Sequence, residues 1–230
     1  MLIIVANRQD QTAIWLARRW QSHNAVVLTA ADLSVRGWRH YFPPASESRA
    51  VVGQEVDPGK IKGVLTRMGG VYEQELPHIT PADRSYAASE MNAFLLAWLS
   101  SLTCPVLNRP VPNCLAGSDW RPEQWVRLAA QLGIPVRPVR RRAPLTSPDS
   151  EPPLGCEVII VGDRCFGKAS PLLQAQARLL AKTAGVGLLV VYFTDPEPPS
   201  QFVSSSVWPN LMSPDVADAV LHYLLVRSAC

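Results

Sequence analysis

The first thirty residues alternate between short apolar runs and one amphipathic stretch, and this pattern constrains the fold more than any other feature. Residues 2–6 form a continuous apolar run, which is typical of a parallel strand covered on both faces. Apolar residues recur at helical spacing in 12–20, with Arg18 and Arg19 on the opposite face. A second apolar run follows at 25–28. The sequence therefore predicts a strand–helix–strand unit, which requires a right-handed crossover.

The same alternation continues along the chain. Further strands are predicted at 50–56 with 60–61 as a hairpin or meander, and at 63–67, 105–107, 134–136, 158–161, 188–193 and 201–205. Further helices are predicted to begin at Pro81, Pro122, Pro171 and Pro214, since proline suits the first turn of a helix. We therefore expect an α/β protein with a parallel sheet in its N-terminal part and a smaller α+β part after it.

A proline-rich stretch predicts the domain boundary. Four of the thirteen residues in 143–155 are proline, and few of the others are apolar enough to bury, as in a linker. The expected organisation is therefore an α/β domain at 1–142, a linker at 143–155 and an α+β subdomain at 156–230.

Composition and ends exclude several classes of protein. With 230 residues, 47% of them hydrophobic, and a net charge of +3, the chain is large and apolar enough to fold. The basic run at 137–142 lacks interleaved aromatic residues, so we expect a solvated loop and no nucleic-acid partner. No apolar run is long enough to span a membrane, and the first residues do not resemble a signal peptide, so we expect a cytoplasmic protein.

Simple catalytic and metal motifs are absent from the sequence. It contains no Walker A phosphate loop, dinucleotide-binding glycine motif, zinc-protease helix or nucleophile elbow. Its five cysteines and four histidines show no ligand spacing, so we expect no bound metal and no cofactor.

The densest group of polar residues surrounds the strand at 63–67 and the helix after Pro81. Asn108 and Arg109 follow a strand, at the edge where α/β sheets bind ligands. The candidate ligand-binding residues are Arg67, Glu73, Arg84, Tyr86, Glu90, Asn108 and Arg109. The alternative is structural, with Arg67 and Glu90 forming an ion pair that ties the helix to the sheet.

Several segments carry a family resemblance. Residues 7–10 and 64–67, the helix with Glu90, and residues 105–110 resemble the N-terminal domain of ATP-grasp ligases. The branch that the chain resembles contains glutathione synthetase, the ribosomal-protein glutamate ligase and the macrocyclising ligases of microviridin-type peptides. Residues 134–136, 158–164, 188–193 and 202–211 resemble strands of the last subdomain of that family. The resemblance covers most of the chain.

The chain departs from this family where the family binds nucleotide and metal. The subdomain that covers the nucleotide should lie between Arg142 and Cys156, where the chain has only the proline-rich stretch. The family lysine is replaced by neutral residues around Gln124 and Trp125. The metal-binding aspartate, glutamate and asparagine of the family fall at Tyr192, Ser204 and Ser206. Magnesium prefers carboxylate oxygens, so the resemblance implies a truncated, degenerate relative.

These departures leave different functions open. The first is a non-catalytic, ATP-grasp-like protein that binds a peptide or protein partner, such as an accessory subunit of a peptide-modifying or ligase system. The second is an enzyme with a rebuilt active site, or a minimal ATP-dependent carboxylate–amine ligase. The third is a subunit that completes the site of an ATP-grasp partner. A homodimer is also expected, through the apolar helix residues at 91–102.

Overall fold

The computed structural model describes residues 1–36, 38–39, 49–52, 54–56, 58–138 and 155–226. The predicted linker at 143–155 therefore lies outside the described residues except for Gly155. The chain divides into two compact units. Unit 1 combines Met1–Ser118 with Asn210–Cys230, and unit 2 is Asp119–Pro209.

A four-stranded parallel sheet forms the centre of unit 1. Its strands are β1 (Leu2–Ala6), β2 (Ala25–Leu28), β6 (Gly63–Arg67) and β7 (Val106–Leu107), in the order β2-β1-β6-β7. All three strand pairs are parallel, and the five residues of β1 are buried. The predicted crossover unit is therefore confirmed, with its two strands at the predicted residues.

A three-stranded antiparallel sheet lies between β2 and β6 in the chain. It consists of β3 (Trp38–Arg39), β4 (Arg49–Val52) and β5 (Gln54–Val56). The hairpin predicted at 50–56 is confirmed, whereas the predicted strand residues at 60–61 are not part of it. Pro58–Lys60 is a short 3₁₀ turn.

Four helices in the described residues belong to unit 1, and the longest packs in its core. They are α1 (Gln11–Arg19), α2 (Ala30–Arg36), α3 (Arg84–Ser101) and α6 (Pro214–Val226). The apolar residues of α3 that favoured a dimer interface are buried in the core of unit 1, namely Met91, Phe94, Leu95, Trp98 and Leu99. These side chains are therefore already packed within the chain.

Unit 2 is a four-stranded antiparallel sheet covered by two helices. The sheet order is β11-β10-β8-β9, formed by β8 (Cys156–Val161), β9 (Arg164–Phe166), β10 (Leu188–Phe193) and β11 (Phe202–Ser206). The helices are α4 (Pro122–Gln131) and α5 (Pro171–Ala184). Their apolar faces pack on alternate strand residues, around fully buried Trp125 and Phe202. The predicted α/β class, with a parallel sheet in the N-terminal part and an α+β part with its own sheet, is thus confirmed.

The two units are bounded differently from the predicted domains. Helix α4 belongs to unit 2, where Trp125 enters the core, although the predicted boundary lay after it. Helix α6 belongs to unit 1, where Leu224 contacts Gly63 of β6 so closely that a methyl group on Gly63 would lie 2.8 Å from the Leu224 Cβ. The predicted strand at 134–136 is reduced to one bridge between Val136 and Phe202. No helix in the described residues is long and apolar enough to cross a membrane.

Candidate functional site

A cavity of about 650 Å³ lies in unit 1 at the carboxyl ends of β1 and β2, and we call it the β1 cavity. Its lining residues follow β1, follow β2 or lie after β6: Asn7, Arg8, Gln9, Asp10, Thr29, Ala30, Ala31, Gln74, Glu75, Pro77 and His78. The chain passes from β1 to β2 on one side of the sheet, and later adds β6 on the other side of β1. Ligands of open α/β sheets bind at such a reversal of strand order.

Asp10, which lines this cavity, connects the start of α1 with the end of β6. Its Oδ1 accepts a hydrogen bond of 2.9 Å from the backbone N–H of Ala13 and so caps α1. Its Oδ2 accepts a hydrogen bond of 2.9 Å from Nε of Arg67, at the end of β6. The two side chains are only 15% and 14% exposed. The Arg67 partner is therefore Asp10, and the alternative that paired Arg67 with Glu90 is wrong, since Glu90 is exposed on α3.

The start of α2 forms a second capped turn beside the cavity. The Asp32 carboxylate accepts hydrogen bonds from the Thr29 hydroxyl at 2.7 Å and the Thr29 backbone N–H at 3.1 Å. The Thr29 hydroxyl accepts one in return from the Asp32 backbone N–H. This reciprocal arrangement fixes the turn after β2. Ser34 of the same helix is hydrogen-bonded to Nε2 of His78 at 2.6 Å, which anchors the opposite wall.

Glu75 is the partly buried carboxylate of this cavity. Burial raises the pKa of Glu75, and a hydrogen bond of 3.0 Å from the backbone N–H of Tyr72 opposes that shift. Arg8 lines the cavity with an exposed guanidinium. The cavity thus offers one exposed cation, one carboxylate with a raised proton affinity, and side-chain amides from Asn7, Gln9 and Gln74. These groups suit a ligand with several hydrogen-bonding atoms, such as a peptide backbone.

The other predicted ligand-binding residues of unit 1 make contacts of their own. Arg84 donates hydrogen bonds to the carbonyl oxygens of Ile79 and Pro77, at 2.8 and 2.9 Å, and braces the turn before α3. Arg109 donates one to the carbonyl oxygen of Leu102 at 3.2 Å.

The remaining predicted ligand-binding residues differ in exposure. Asn108 is buried, and its Cβ lies where a side chain on Gly117 would clash. Glu73, Tyr86 and Glu90 are exposed, and Tyr86 shares a face of α3 with Glu90. Among the predicted ligand-binding residues, Arg67 is connected to the β1 cavity, because its ion-pair partner Asp10 lines that cavity.

The three predicted degenerate metal positions share one face of the sheet in unit 2. Tyr192 of β10 lies directly opposite Ser204 of β11, and Ser206 lies two residues along the same strand. Tyr192 also lies opposite Glu157 of β8. Burial raises the pKa of Tyr192, and the Glu157 carboxylate raises it further.

This face therefore presents one phenol, two half-buried serine hydroxyls and one exposed carboxylate. Ser206 accepts a hydrogen bond of 3.2 Å from the backbone N–H of Trp208. In the described part of the chain, no three His, Cys, Asp or Glu side chains are grouped as metal ligands.

Sequence reasoning did not single out Asp10, Thr29, Asp32, Glu75 or His78 as one site. The signal for part of it was present, because Thr29 and Asp32 have the spacing of a capping box directly after an apolar strand. Elsewhere in unit 1, the Trp38 ring stacks on the Phe94 ring, with 4.3 Å between the ring centroids.

The fold, a parallel sheet and a second antiparallel sheet, is similar to that of solved ATP-grasp ligases, as the resemblance predicted. The chain matches macrocyclase MdnC from Microcystis aeruginosa MRC, solved with precursor peptide MdnA, with a TM-score of 0.72 and 12% identity over 98% of this chain and 99% of that one.

Two further ligases show the same fold. An ATP-grasp ligase associated with ribosomally made peptides, from Chryseobacterium gregarium, was solved with ADP and a leader and core peptide. It matches with a TM-score of 0.67 and 9% identity over 97% of this chain and 96% of that one. Ligase PsnB, solved with precursor peptide PsnA2 and AMPPNP, matches with a TM-score of 0.63 and 13% identity over 97% of each chain. No protein-family model and no curated protein sequence matches the chain.

The resemblance assigns the metal ligands of ATP-grasp ligases to Tyr192, Ser204 and Ser206, and these three side chains do not fit a magnesium–nucleotide site. Magnesium with a nucleotide requires hard, anionic oxygen ligands. Serine hydroxyls do not ionise at neutral pH, so Ser204 and Ser206 carry no charge. Tyr192 is also neutral, and burial raises its pKa further above neutrality. Glu157 is the lone carboxylate in the cross-strand row that contains Tyr192 and Ser204.

Proposed function

We propose that this chain is a non-catalytic protein with an ATP-grasp-like fold that binds a peptide or protein partner. The observation that carries the proposal is the sheet face formed by Tyr192, Ser204 and Ser206. Its side chains are neutral at the positions where the resemblance implies metal ligands. A triphosphate with magnesium gains little from such a face, since hydroxyl groups do not balance the charge of the cation.

The β1 cavity supports the peptide part of the proposal. Its volume of about 650 Å³ lies in the range of small-molecule binding sites and accommodates a few residues of a peptide. The amides of Asn7, Gln9 and Gln74 suit backbone N–H and C=O groups, and Arg8 adds a cation. Three solved ligases with this fold were crystallised with peptides, two with a precursor peptide and one with a leader and core peptide. We place the peptide partner of this chain in the β1 cavity.

A nucleotide titration tests the non-catalytic part. A ligand at 100 times its dissociation constant stabilises the folded state by about 2.7 kcal/mol, or about 5–10 °C in Tm for a chain of this size. We expect no change in Tm with millimolar Mg·ATP or Mg·ADP, and no heat in calorimetry. A rise of several degrees, or ADP production by the purified chain, would contradict the proposal and favour the minimal ligase.

A restored variant tests the assignment of the three positions. We expect the combination of Tyr192→Asp, Ser204→Glu and Ser206→Asn to bind Mn²⁺, measured by electron paramagnetic resonance, because it places anionic oxygens on one face. The wild type and Tyr192→Phe should not. Equal Mn²⁺ binding by all three proteins would show that the metal binds elsewhere.

A peptide array tests the binding part. Random dodecapeptides retained by the wild type should bind at least tenfold more weakly to Arg8→Ala, which removes the exposed cation of the β1 cavity. Arg18→Ala is the matched control, since Arg18 is an exposed arginine of α1 outside that cavity. An array without selective retention, or equal losses in both variants, would remove the β1 cavity from the proposal.

The predicted homodimer and cytoplasmic location belong to the same proposal. Sedimentation velocity gives the mass in solution, and a monomer at micromolar concentration would contradict the homodimer.

Fractionation of cells that express the protein tests the cytoplasmic location, and recovery of the chain in the membrane fraction would contradict it.

A further inference from the structure

A second cavity, of about 550 Å³, lies within unit 2, and the proposed function does not use it. We call it the α5 cavity, because the first turns of α5 form one wall. The opposite wall is the loop between β10 and β11. The lining residues are Pro135, Leu172, Leu173, Gln176, Thr194, Asp195, Pro198, Pro199, Ser200 and Gln201.

The loop wall is held in place by its own hydrogen bonds. The buried Ser200 hydroxyl accepts from the backbone N–H of Asp195 at 3.1 Å and donates to its carbonyl oxygen at 2.8 Å. The Thr194 hydroxyl accepts from the backbone N–H of Gln201 at 3.0 Å. Pro196 accepts from the N–H of Ser170, directly before α5, at 2.9 Å. The cavity is therefore formed before any ligand arrives, which lowers the entropic cost of binding.

The apolar surface of the cavity comes from leucine and proline. Leu172 is 54% exposed, although it lies on the cavity wall, and Pro198 and Pro199 are exposed opposite it. Proline rings and leucine side chains form flat apolar walls that an aromatic ring fills well. Aromatic side chains seated in preformed pockets contribute much of the affinity of protein interfaces.

One polar atom in this wall lacks a hydrogen-bond partner. Oε1 of Gln176 is buried, and no described residue donates to it. A buried acceptor without a partner is unfavourable, so a donor brought by a ligand is worth more here than in water. Among aromatic side chains, tryptophan combines a large ring with an obligatory N–H donor.

The rim of the cavity is acidic. Asp195 and Glu197 are exposed in the loop, and residues 194–201 contain no basic side chain. A cationic residue next to the aromatic ring would complement this charge.

We propose that the α5 cavity binds a tryptophan side chain of a peptide partner, flanked by lysine or arginine. The ring lies between Leu172 and the two prolines, and a rotation of the Gln176 side chain presents its Oε1 to the indole N–H. The flanking cation lies at Asp195 and Glu197. The inference shares the peptide partner with the proposed function, but it concerns a different site and does not depend on the β1 cavity.

Three blocked tripeptides test each part of this recognition on the full ¹⁵N-labelled chain. Acetyl-Lys-Trp-Lys-amide should shift the amide signals of Leu172, Gln176 and Ser200 in a saturable way. Acetyl-Lys-Phe-Lys-amide, which lacks the indole donor, should bind about 3–10-fold more weakly. Acetyl-Glu-Trp-Glu-amide, with reversed charge, should also bind more weakly. Equal binding of all three, or shifts confined to unit 1, would overturn the proposal.

Two variants and one control locate the contacts. Gln176→Met should remove the preference for tryptophan over phenylalanine while both tripeptides still bind. Leu172→Ala should weaken both about equally, because it removes one wall. Leu179→Ala is the control, since Leu179 is 43% exposed on the same helix and lies outside the cavity lining. A preference that survives Gln176→Met, or an equal loss in Leu179→Ala, would contradict the assignment.

The outcomes separate this inference from the proposed function. Failure of the tripeptides with an Arg8-dependent array signal overturns only the α5 cavity. Saturable tripeptide binding together with stabilisation by Mg·ATP supports the α5 cavity and overturns the non-catalytic assignment.

Discussion

Asp10 caps α1 and forms an ion pair with Arg67, and a comparison of different substitutions at Asp10 separates the two contributions to stability. Asp10→Ala removes the cap of α1, which costs about 1 kcal/mol. It also leaves the Arg67 guanidinium, whose side chain is 14% exposed, without its carboxylate. A buried polar group that loses its partner costs about 1–3 kcal/mol. We therefore expect Asp10→Ala to lower the free energy of unfolding by about 2–4 kcal/mol, measured from urea unfolding at neutral pH.

Two further variants and a control make this prediction refutable. Asp10→Ser keeps a capping oxygen but cannot reach Arg67, so its loss should be about 1 kcal/mol smaller. The double variant Asp10→Ala with Arg67→Met should lose less than the sum of the single variants, because the pair is coupled. Asp218→Asn breaks the exposed pair with Arg19 and should leave the midpoint unchanged. Equal losses for Asp10→Ser and Asp10→Ala would refute the capping role, and strict additivity would refute the coupling.

Three other substitutions test the packing and the titration of the chain. Trp125→Ala should lower the free energy of unfolding by about 3–5 kcal/mol, because this side chain is fully buried in unit 2; an unchanged urea midpoint would contradict its place in that core. Gly63→Ala should lower the free energy of unfolding by about 1–3 kcal/mol, since the added Cβ would lie 2.8 Å from the Cβ and 2.9 Å from the backbone oxygen of Leu224. An unchanged Tm would show that α6 moves to accommodate the methyl group without loss of stability. Glu75→Gln should raise Tm at neutral pH. The wild-type carboxyl has a pKa raised by burial, so its ionisation destabilises the fold above that pKa and ceases to do so below the ordinary glutamate pKa. The difference in Tm between the two proteins should therefore shrink as the pH falls towards 4, and a constant difference would contradict this cause.

Strands with continuous apolar runs were predictable from the sequence. β1 and β6 lie at the predicted residues because burial on both faces requires such runs. β2 also lies at the predicted residues, although three of its four residues are half-buried. β9 was not predicted, since its three residues have no apolar pattern of their own and pair only through the hairpin with β8. The grouping of α4 and α6 also escaped prediction, because an amphipathic face shows that a helix is buried but not which sheet it covers.

The site was less predictable than the fold. The sequence identified Arg67 as important but gave it the wrong partner, since Glu90 was on the predicted neighbouring helix while Asp10 was 57 residues away in the chain. Arg84 and Arg109 resembled ligand-binding cations, and both donate to backbone carbonyls instead. Hydrogen bonds of this kind depend on the local backbone path, which residue types alone do not specify. Tyr192 and Ser204, which the resemblance assigned to one metal site, lie opposite each other on neighbouring strands.

The C-terminal helix α6 has a consequence for the order in which this chain acquires structure during synthesis. All of unit 2 lies between the β-strands of unit 1 and the helix that packs against β6. The ribosome therefore completes unit 2 while the first sheet still lacks one of its covers. All the described strands and helices of unit 2 have been synthesised by then, whereas unit 1 still lacks α6. Until α6 is synthesised, part of the apolar surface of the N-terminal sheet stays exposed. A chaperone that covers this surface would prevent aggregation during that interval.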